Sequence, residues 1–304
     1  MSRVLDIVGG ERAKGRVVLV SSAISGCTDG LLACAAGDTT ALAALKERHQ
    51  AIVRRLFTGV ERADAAAEVA RLFFEMEAAP ADEKVTFGEL LSTRILARKL
   101  ACDGFGVQWV DSRKLVVKDD LPETYRRIGA AVAATDADIV VAPGFICGDA
   151  AGKVCTLGRG GSDYSAALYA AALEAESLQI WTDVPGIMTA NPKQVPAART
   201  IPGMSYRAAL DMAAHGAKVL YAPTVAPAME AGIDIEIRNT FAPAGRFTFI
   251  SAQPDLSQWV GVASQGGEIC LGALRKPIST QLSIRSGTRS ARRASPRWRS
   301  AWTD

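Results

Sequence analysis

The chain carries the stretch Gly158-Arg159-Gly160-Gly161-Ser162-Asp163-Tyr164-Ser165-Ala166-Ala167-Leu168, in which a glycine-rich turn runs directly into an apolar, alanine-rich segment. This pattern predicts a loop that opens a helix. The first N–H groups of a helix have no partner within it, and the helix dipole favours negative charge at that end. The stretch therefore predicts a cradle for a phosphate or a carboxylate, to which Arg159 adds a cation.

Two interpretations of Gly160-Gly161-Ser162-Asp163 stay open when it is taken alone. An ordinary helix start, with Ser162 or Asp163 as the N-cap, explains it without any ligand. A carboxylate at Asp163, among groups suited to anions, also has a chemical use if it orients a cation or a catalytic lysine.

Strand-like and helix-like segments alternate along the chain. Apolar runs end in small or polar residues at Ser22, Gly144 and Asp183, whereas residues 38–57 and 61–79 show helical spacing of apolar side chains. This alternation predicts an α/β fold with a mostly parallel sheet sandwiched by helices. Ligands of such sheets bind beyond the carboxyl ends of the strands, so we expect these three residues to lie near a site.

Composition argues against several classes of protein. Of the 304 residues 49% are hydrophobic, but no apolar run approaches about 18 residues, and residues 1–15 resemble neither a signal peptide nor a membrane anchor. The six cysteines form no C-x-x-C pair, and only two histidines are present, which argues against a zinc site, a disulfide framework and histidine-based catalysis. We expect a cytoplasmic globular protein without a membrane partner.

The basic charge is concentrated in one segment. The formal net charge is +3, but residues 275–304 contain eight arginines and lysines and one carboxylate, so residues 1–274 have a net charge of −4. The arginine- and serine-rich segment 275–304 also lacks periodicity, which predicts disorder. We therefore expect no specific nucleic-acid surface on the folded domain.

The string around the glycine-rich turn, residues 156–164, resembles the signature of the aspartokinases, which belong to the amino-acid-kinase superfamily. The resemblance extends over residues 17–240 and is most marked with the kinase portion of bifunctional aspartokinase–homoserine dehydrogenases. It implies a carbamate-kinase-like fold. Four further segments resemble family motifs in the family's order: Ser21-Ser22-Ala23-Ile24-Ser25-Gly26-Cys27-Thr28-Asp29, Phe87-Gly88-Glu89-Leu90-Leu91-Ser92-Thr93-Arg94, Leu178-Gln179-Ile180-Trp181-Thr182-Asp183-Val184-Pro185-Gly186 and Gly216-Ala217-Lys218-Val219-Leu220.

The resemblance implies roles for residues that would hold L-aspartate. Glu89 would receive the α-amino group, an ammonium that needs a carboxylate partner, and Arg159 would clamp the α-carboxylate. Asp163 would order the cationic side of the transfer and, with Arg159, forms the expected catalytic pair. The remaining substrate-binding residues would be Ser22, Gly160, Gly161 and Ser162. Without the resemblance, Glu89 is equally well explained as a first-turn acid favoured by the helix dipole.

A second set of residues would hold ATP. The resemblance implies that Thr182 and Asp183 contact adenine and ribose, and that Lys218 lies near the phosphates. Met188 and Lys193 stand where the family usually has tyrosine and arginine, so Met188 would pack on adenine and Lys193 would offer a charge without a bidentate fork. Lys218 has an alternative as a helix-end lysine that binds carbonyl groups.

The implied reaction is the ATP- and Mg²⁺-dependent phosphorylation of the β-carboxylate of L-aspartate to 4-phospho-L-aspartate. In the family this is the first step of lysine, threonine and methionine biosynthesis, and the intact enzymes form homo-oligomers. The nucleophile is already an anion, so the protein needs donors and cations rather than a strong general base.

The sequence departs from the family at both ends. The family's Lys-Phe-Gly-Gly-Thr-Ser motif is absent, and residues 1–11 resemble the helix that follows it. We therefore expect three parts: a kinase domain at 1–245 that lacks its first strand, a partial ACT-like segment at 246–274, and a basic disordered tail at 275–304. Two alternatives remain for the function: a non-catalytic kinase fragment, or another amino-acid kinase.

Overall fold

Strands and helices alternate over most of the chain, as the sequence predicts. The computed structural model describes residues 1–214, 225–252, 260–265 and 268–273. The helices are α1 (Ser2–Arg12), α2 (Cys27–Ala35), α3 (Thr39–Leu56), α4 (Gly59–Ala78), α5 (Phe87–Cys102), α6 (Ser112–Leu115), α7 (Leu121–Ala133), α8 (Gly161–Ala172), α9 (Tyr206–Ala214) and α10 (Ala226–Glu230). The strands are β1 (Val17–Ser21), β2 (Val107–Trp109), β3 (Ile139–Pro143), β4 (Ile146–Gly148), β5 (Val154–Thr156), β6 (Ser177–Thr182), β7 (Gly203–Ser205), β8 (Asp234–Asn239), β9 (Thr248–Ser251), β10 (Val260–Gln265) and β11 (Glu268–Ala273).

The first sheet has three parallel strands in the order β1-β3-β2. Val17 of β1 and Val107 of β2 both pair with Ile139 of β3. All five residues of β3 are buried, as expected for an apolar central strand with helices on both faces.

The second sheet has four strands in the order β6-β8-β9-β7. The pairs β6–β8 and β7–β9 are parallel, whereas β8 and β9 are antiparallel. The α/β class with a mostly parallel sheet is thus confirmed, although the strands form two separate sheets. Two antiparallel pairs, β4–β5 and β10–β11, accompany them. Strand β9, which follows residue 245, belongs to the second sheet, and the predicted domain boundaries stay predictions.

Helix α8 packs against both sheets. Its Leu168 shares an apolar cluster with Val18 of β1, and its Ala167 shares another with Ile180 of β6. On the opposite face, Glu11 of α1 accepts a 3.1 Å hydrogen bond from the side chain of Gln179 in β6. Val8 of α1 also shares an apolar cluster with Val17 of β1, so α1 and α8 each contact both β1 and β6.

Within the described ranges, no helix combines the length and the apolar character needed to cross a bilayer. The predicted tail at 275–304 lies outside the described residues.

A hydrogen bond between two buried side chains links α8 to α6. The hydroxyl of Tyr169 shares a 3.0 Å hydrogen bond with the hydroxyl of Ser112, and both side chains are fully buried. Each hydroxyl depends on the other, because loss of one partner leaves a buried polar group without a hydrogen bond.

We expect Tyr169→Phe to lower the free energy of unfolding by about 1–2 kcal/mol, because Ser112 loses its partner. The double variant Ser112→Ala/Tyr169→Phe should be more stable than the sum of the two single changes predicts, since it removes both polar groups. Urea unfolding of the four proteins measures this coupling. Strict additivity would show that the hydroxyl pair contributes nothing specific.

Candidate functional site

A cleft of about 320 Å³ lies where β1, β3 and β5 are followed by loops. Four segments that are distant in sequence meet there: the turn after β1 with the start of α2, the first turn of α5, the turn after β3, and the glycine-rich loop with the start of α8. The cleft is lined by Ser22, Ala23, Thr28, Glu89, Phe145, Gly158, Gly160, Gly161, Ser162 and Asp163. This is the position expected for a ligand site at the carboxyl ends of parallel strands.

The glycine-rich loop turns sharply before α8. Gly158 and Gly160 have φ angles of +76° and +69°, a region that favours glycine, and the N–H of Gly161 donates to the carbonyl of Gly158 at 3.0 Å. The N–H groups of Ser162 and Asp163 make no hydrogen bond with any described residue. They are free donors at the positive end of a twelve-residue helix, as an anion cradle requires.

Two contacts hold this loop against β3. The hydroxyl of Ser165 accepts a hydrogen bond from the N–H of Phe145 at 3.0 Å and donates to the carbonyl of Gly161 at 2.9 Å. A Cβ atom at Gly144 would lie 2.9 Å from the Cα atom of Ser162, so the end of β3 and the start of α8 approach closely only because this residue is glycine.

Glu89 lies in the first turn of α5 and is 3% exposed. Its Oε1 atom accepts a hydrogen bond from the N–H of Ala23 at 3.1 Å, while its Oε2 atom is buried without a partner among the described residues. Burial raises the pKa of Glu89 from its ordinary value of 4.5 to about 7. An orphaned carboxylate oxygen at a cleft is a site for a cationic donor, such as an ammonium group.

Asp163 is the second carboxyl group of the cleft, and burial raises its pKa as well. In the part of the chain that the structure describes, no lysine or arginine lines the cleft. Arg159 lies between two lining glycines but is itself exposed, and it makes no hydrogen bond or ion pair within the described part of the chain. Its guanidinium is therefore available to an anion at the cleft's edge.

The expected substrate residues thus come together, apart from Arg159 at the edge. Ser22, Glu89 and Asp163 line one cleft with Gly160, Gly161 and Ser162. A hydrogen bond of 2.8 Å from the hydroxyl of Ser92 to the carbonyl of Ser22 fastens the turn after β1 to α5.

Four of the expected ATP residues, at positions 182, 183, 188 and 193, are not among the lining residues of the cleft. Thr182 ends β6, and its carbonyl accepts a 2.8 Å hydrogen bond from the N–H of Thr240 after β8. Asp183 follows it, Met188 pairs with Thr200 in an isolated bridge, and Lys193 lies in the loop beyond. Lys218 and the rest of 215–224 lie outside the described residues.

Sequence reasoning missed Phe145 as a lining residue. Its φ angle is +66°, an unusual value for a bulky side chain, and its carbonyl accepts a 2.8 Å hydrogen bond from the N–H of Leu157. The preceding Gly144, at the end of an apolar run, was the available signal for a sharp turn, but it did not identify which side chain enters the cleft.

Comparison with known proteins gives a consistent result. The model of the amino acid kinase family matches residues 1–239. The lysine-sensitive aspartokinase 3 of Escherichia coli is 36% identical over 272 residues, which are 82% of this chain and 60% of that protein. The bifunctional aspartokinase/homoserine dehydrogenase of Haemophilus influenzae is 38% identical over 165 residues, 52% of this chain and 20% of that protein.

Solved structures agree. Escherichia coli aspartokinase III in complex with aspartate and ADP superposes with a TM-score of 0.74 at 32% identity, covering 86% of this chain and 64% of that one. The aspartate kinase of Clostridium acetobutylicum gives a TM-score of 0.75 at 26% identity, covering 86% and 63%. The chain thus spans less than two thirds of the length of these relatives.

The buried Glu89 carboxyl should make stability depend on pH. The folded protein keeps a proton that the unfolded chain releases between pH 4.5 and about 7, so wild-type stability should fall as the pH rises through this range. Glu89→Gln stays neutral, and we expect it to exceed wild type by about 2 kcal/mol in free energy of unfolding at pH 8, with little difference at pH 5.

Urea unfolding at the two pH values measures this difference. Glu176→Gln, which neutralises an exposed acid, is the matched control and should leave the pH dependence unchanged. A Glu89→Gln protein that is no more stable than wild type at pH 8 would contradict the assignment of a buried, costly carboxylate.

Proposed function

The chain belongs to the amino acid kinase family, and from this premise we propose that it binds L-aspartate and ATP and phosphorylates the β-carboxylate of aspartate. The observation that carries the proposal is the cleft, in which the orphaned oxygen of Glu89 and the free N–H groups at the start of α8 line the same space. These groups match the two charges of an α-amino acid.

The amino-acid part of the proposal uses groups of opposite character. The α-ammonium would donate to the Oε2 atom of Glu89, which would recover the hydrogen bond that this atom lacks. The α-carboxylate would pair with Arg159, whose guanidinium has no described partner. Ser22 and the backbone of Gly160–Ser162 would complete the contacts with the amino acid. The β-carboxylate would then face the phosphate donor.

The nucleotide part rests on the relatives. An Escherichia coli relative has been solved with aspartate and ADP, which supports a nucleotide and aspartate as ligands of this chain as well. We assign adenine and ribose contacts to Thr182, Asp183 and Met188, and phosphate contacts to Lys193 and Lys218. The hydrogen bond between the end of β6 and Thr240 would keep the first of these contacts in position.

Magnesium fits the cleft as an ion carried by the nucleotide. Within the described ranges no cluster of three or more acidic, histidine or cysteine side chains could hold a metal ion. Mg²⁺ is commonly held by one or two carboxylates together with substrate phosphates, and Asp163 supplies one carboxylate beside the anion loop. When bound, the ion would neutralise phosphate charge.

The chain's own residues would act by positioning. Glu89 and Arg159 would fix the amino acid at its α-carbon, so that the β-carboxylate attacks in line. The N–H groups of Ser162 and Asp163 would donate to oxygens on which charge develops, in a cleft where these donors are already oriented. Since the attacking carboxylate is an anion, no side chain has to remove a proton.

The product would be 4-phospho-L-aspartate, and we propose that it serves lysine, threonine and methionine biosynthesis. A cytoplasmic location and a homo-oligomeric state stay predictions. No specific nucleic-acid or membrane partner is proposed.

One observation favours a second candidate, a kinase domain that binds without efficient turnover. Among the residues that the structure describes, the cleft is lined by two carboxyl groups and by no cation, whereas phosphoryl transfer between two anions needs positive charge.

Binding and turnover are therefore measured separately. The shift in Tm caused by L-aspartate, L-glutamate and N-acetylglutamate, with and without ADP, reports binding. The hydroxamate assay for aspartyl phosphate with Mg-ATP reports turnover. We expect L-aspartate to give the largest shift, and Arg159→Ala to weaken its binding by roughly tenfold to a hundredfold, since it removes a charge-assisted hydrogen bond.

Arg55→Ala is the matched control, because Arg55 is an exposed arginine on α3 that is not among the lining residues of the cleft. It should leave both readouts unchanged. A larger shift with another acid would overturn the choice of aspartate. If aspartate binds but the wild-type protein gives no more hydroxamate than Arg159→Ala does, the second candidate is favoured.

A further inference from the structure

Two cysteines face each other across the β4–β5 hairpin. Cys147 of β4 is the direct antiparallel partner of Cys155 of β5, and their Sγ atoms lie 3.3 Å apart as free thiols. They are eight residues apart in sequence, a spacing that carries no recognised metal or redox motif, which is why their proximity is visible only in the fold.

The hairpin holds the two thiols in a fixed register. The N–H of Asp149 donates to the carbonyl of Lys153 at 2.9 Å, and the N–H of Leu157 donates to the carbonyl of Phe145 at 2.8 Å. These bonds lie two positions to either side of the cysteines, so the cysteines also occupy a hydrogen-bonded pair. The Cα atoms of such pairs are about 5.5 Å apart, which falls within the range that a disulfide spans.

Hydrogen bonds also fix the conformation of the hairpin turn. The side chain of Asp149 accepts hydrogen bonds from the N–H groups of Ala151 and Lys153 at 2.9 and 2.8 Å. A cross-link between the strands would therefore need little backbone movement.

The two thiols differ in access to solvent. Cys147 is fully buried, whereas Cys155 is half-buried and so can meet a small oxidant first. Burial and the neighbouring thiol raise the pKa of Cys147, which makes it the slower nucleophile of the pair.

We propose that Cys147 and Cys155 form a reversible oxidation site that takes hydrogen peroxide as its oxidant and closes as a disulfide across the hairpin. Cys155 attacks one peroxide oxygen, the O–O bond breaks, and Cys155 becomes a sulfenic acid with release of water. Cys147 then attacks the sulfenyl sulfur, an S–S bond forms, and its proton leaves with the hydroxyl group as a second water. Two electrons pass from the two thiols to the peroxide.

The location gives the modification a consequence for the cleft. Phe145 lies two residues before Cys147, Gly158 lies three residues after Cys155, and both line the cleft. A bond across the hairpin fixes the spacing of these two positions. Oxidation of the two cysteines does not depend on which ligand the cleft binds.

Peptide mapping of the folded full chain tests the site directly. Trypsin cleaves after Lys153, between the two cysteines, so Cys147 lies in peptide 128–153 and Cys155 in peptide 154–159. After treatment with hydrogen peroxide and alkylation of remaining thiols, we expect these peptides to appear joined, with loss of two hydrogen atoms, and to separate on reduction with dithiothreitol. The oxidised chain should also melt at a higher temperature than the reduced chain.

Two variants distinguish disulfide formation at this cysteine pair from general thiol oxidation. Cys155→Ser should abolish the joined peptide, whereas Cys34→Ser, a change at another half-buried cysteine, should leave its yield unchanged. Melting curves of both variants verify that they are folded. Over-oxidation of Cys155 without the joined peptide would overturn the proposal, as would joined peptides that pair Cys155 with Cys102 as often as with Cys147.

Discussion

Helix α8 is the element on which both sheets and the cleft depend. One end of it carries the free N–H groups of the glycine-rich loop, while its side chains pack against β1 in the first sheet and β6 in the second. Ser165 adds a hydrogen bond to the turn after β3, so the anion loop is fixed relative to the first sheet. A single helix therefore sets the position of the candidate site and of the strands that surround it.

The cleft has an electrostatic cost that the remainder of the fold must offset. Among the described residues, Glu89 is held by one backbone N–H and its second oxygen has no partner, and burial raises the pKa of Asp163 as well. An amino acid with its ammonium group at Glu89 would relieve part of this cost, so the same desolvation that weakens the free protein would strengthen the contact with its ligand. Under the proposed function, Glu89 would serve ligand binding at a cost to stability.

The α/β class could be predicted from local patterns, and the family resemblance predicted that Ser22, Glu89 and Asp163 lie near one another; their roles in binding stay predictions. Apolar runs ending at Ser22 and Gly144 mark strand ends, and the glycines at 158, 160 and 161 mark the loop before α8. The division into two sheets could not be predicted, because strand order depends on contacts distant in sequence. The proximity of the Cys147 and Cys155 thiols could not be predicted for the same reason. The position of Phe145 in the cleft could not be predicted either, because it accompanies a positive φ angle that the sequence does not show.

The end strands β1 and β6 give the chain a further property. Among the described residues β1 pairs with β3 alone and β6 with β8 alone, so each offers a row of backbone donors and acceptors on one side. Sheet proteins often protect such borders with charged residues, proline or a bulge. The sequence Val-Val-Leu-Val of β1 contains neither a charged residue nor a proline. The valines of β1 are partly exposed, so this border can accept a further strand and extend the first sheet.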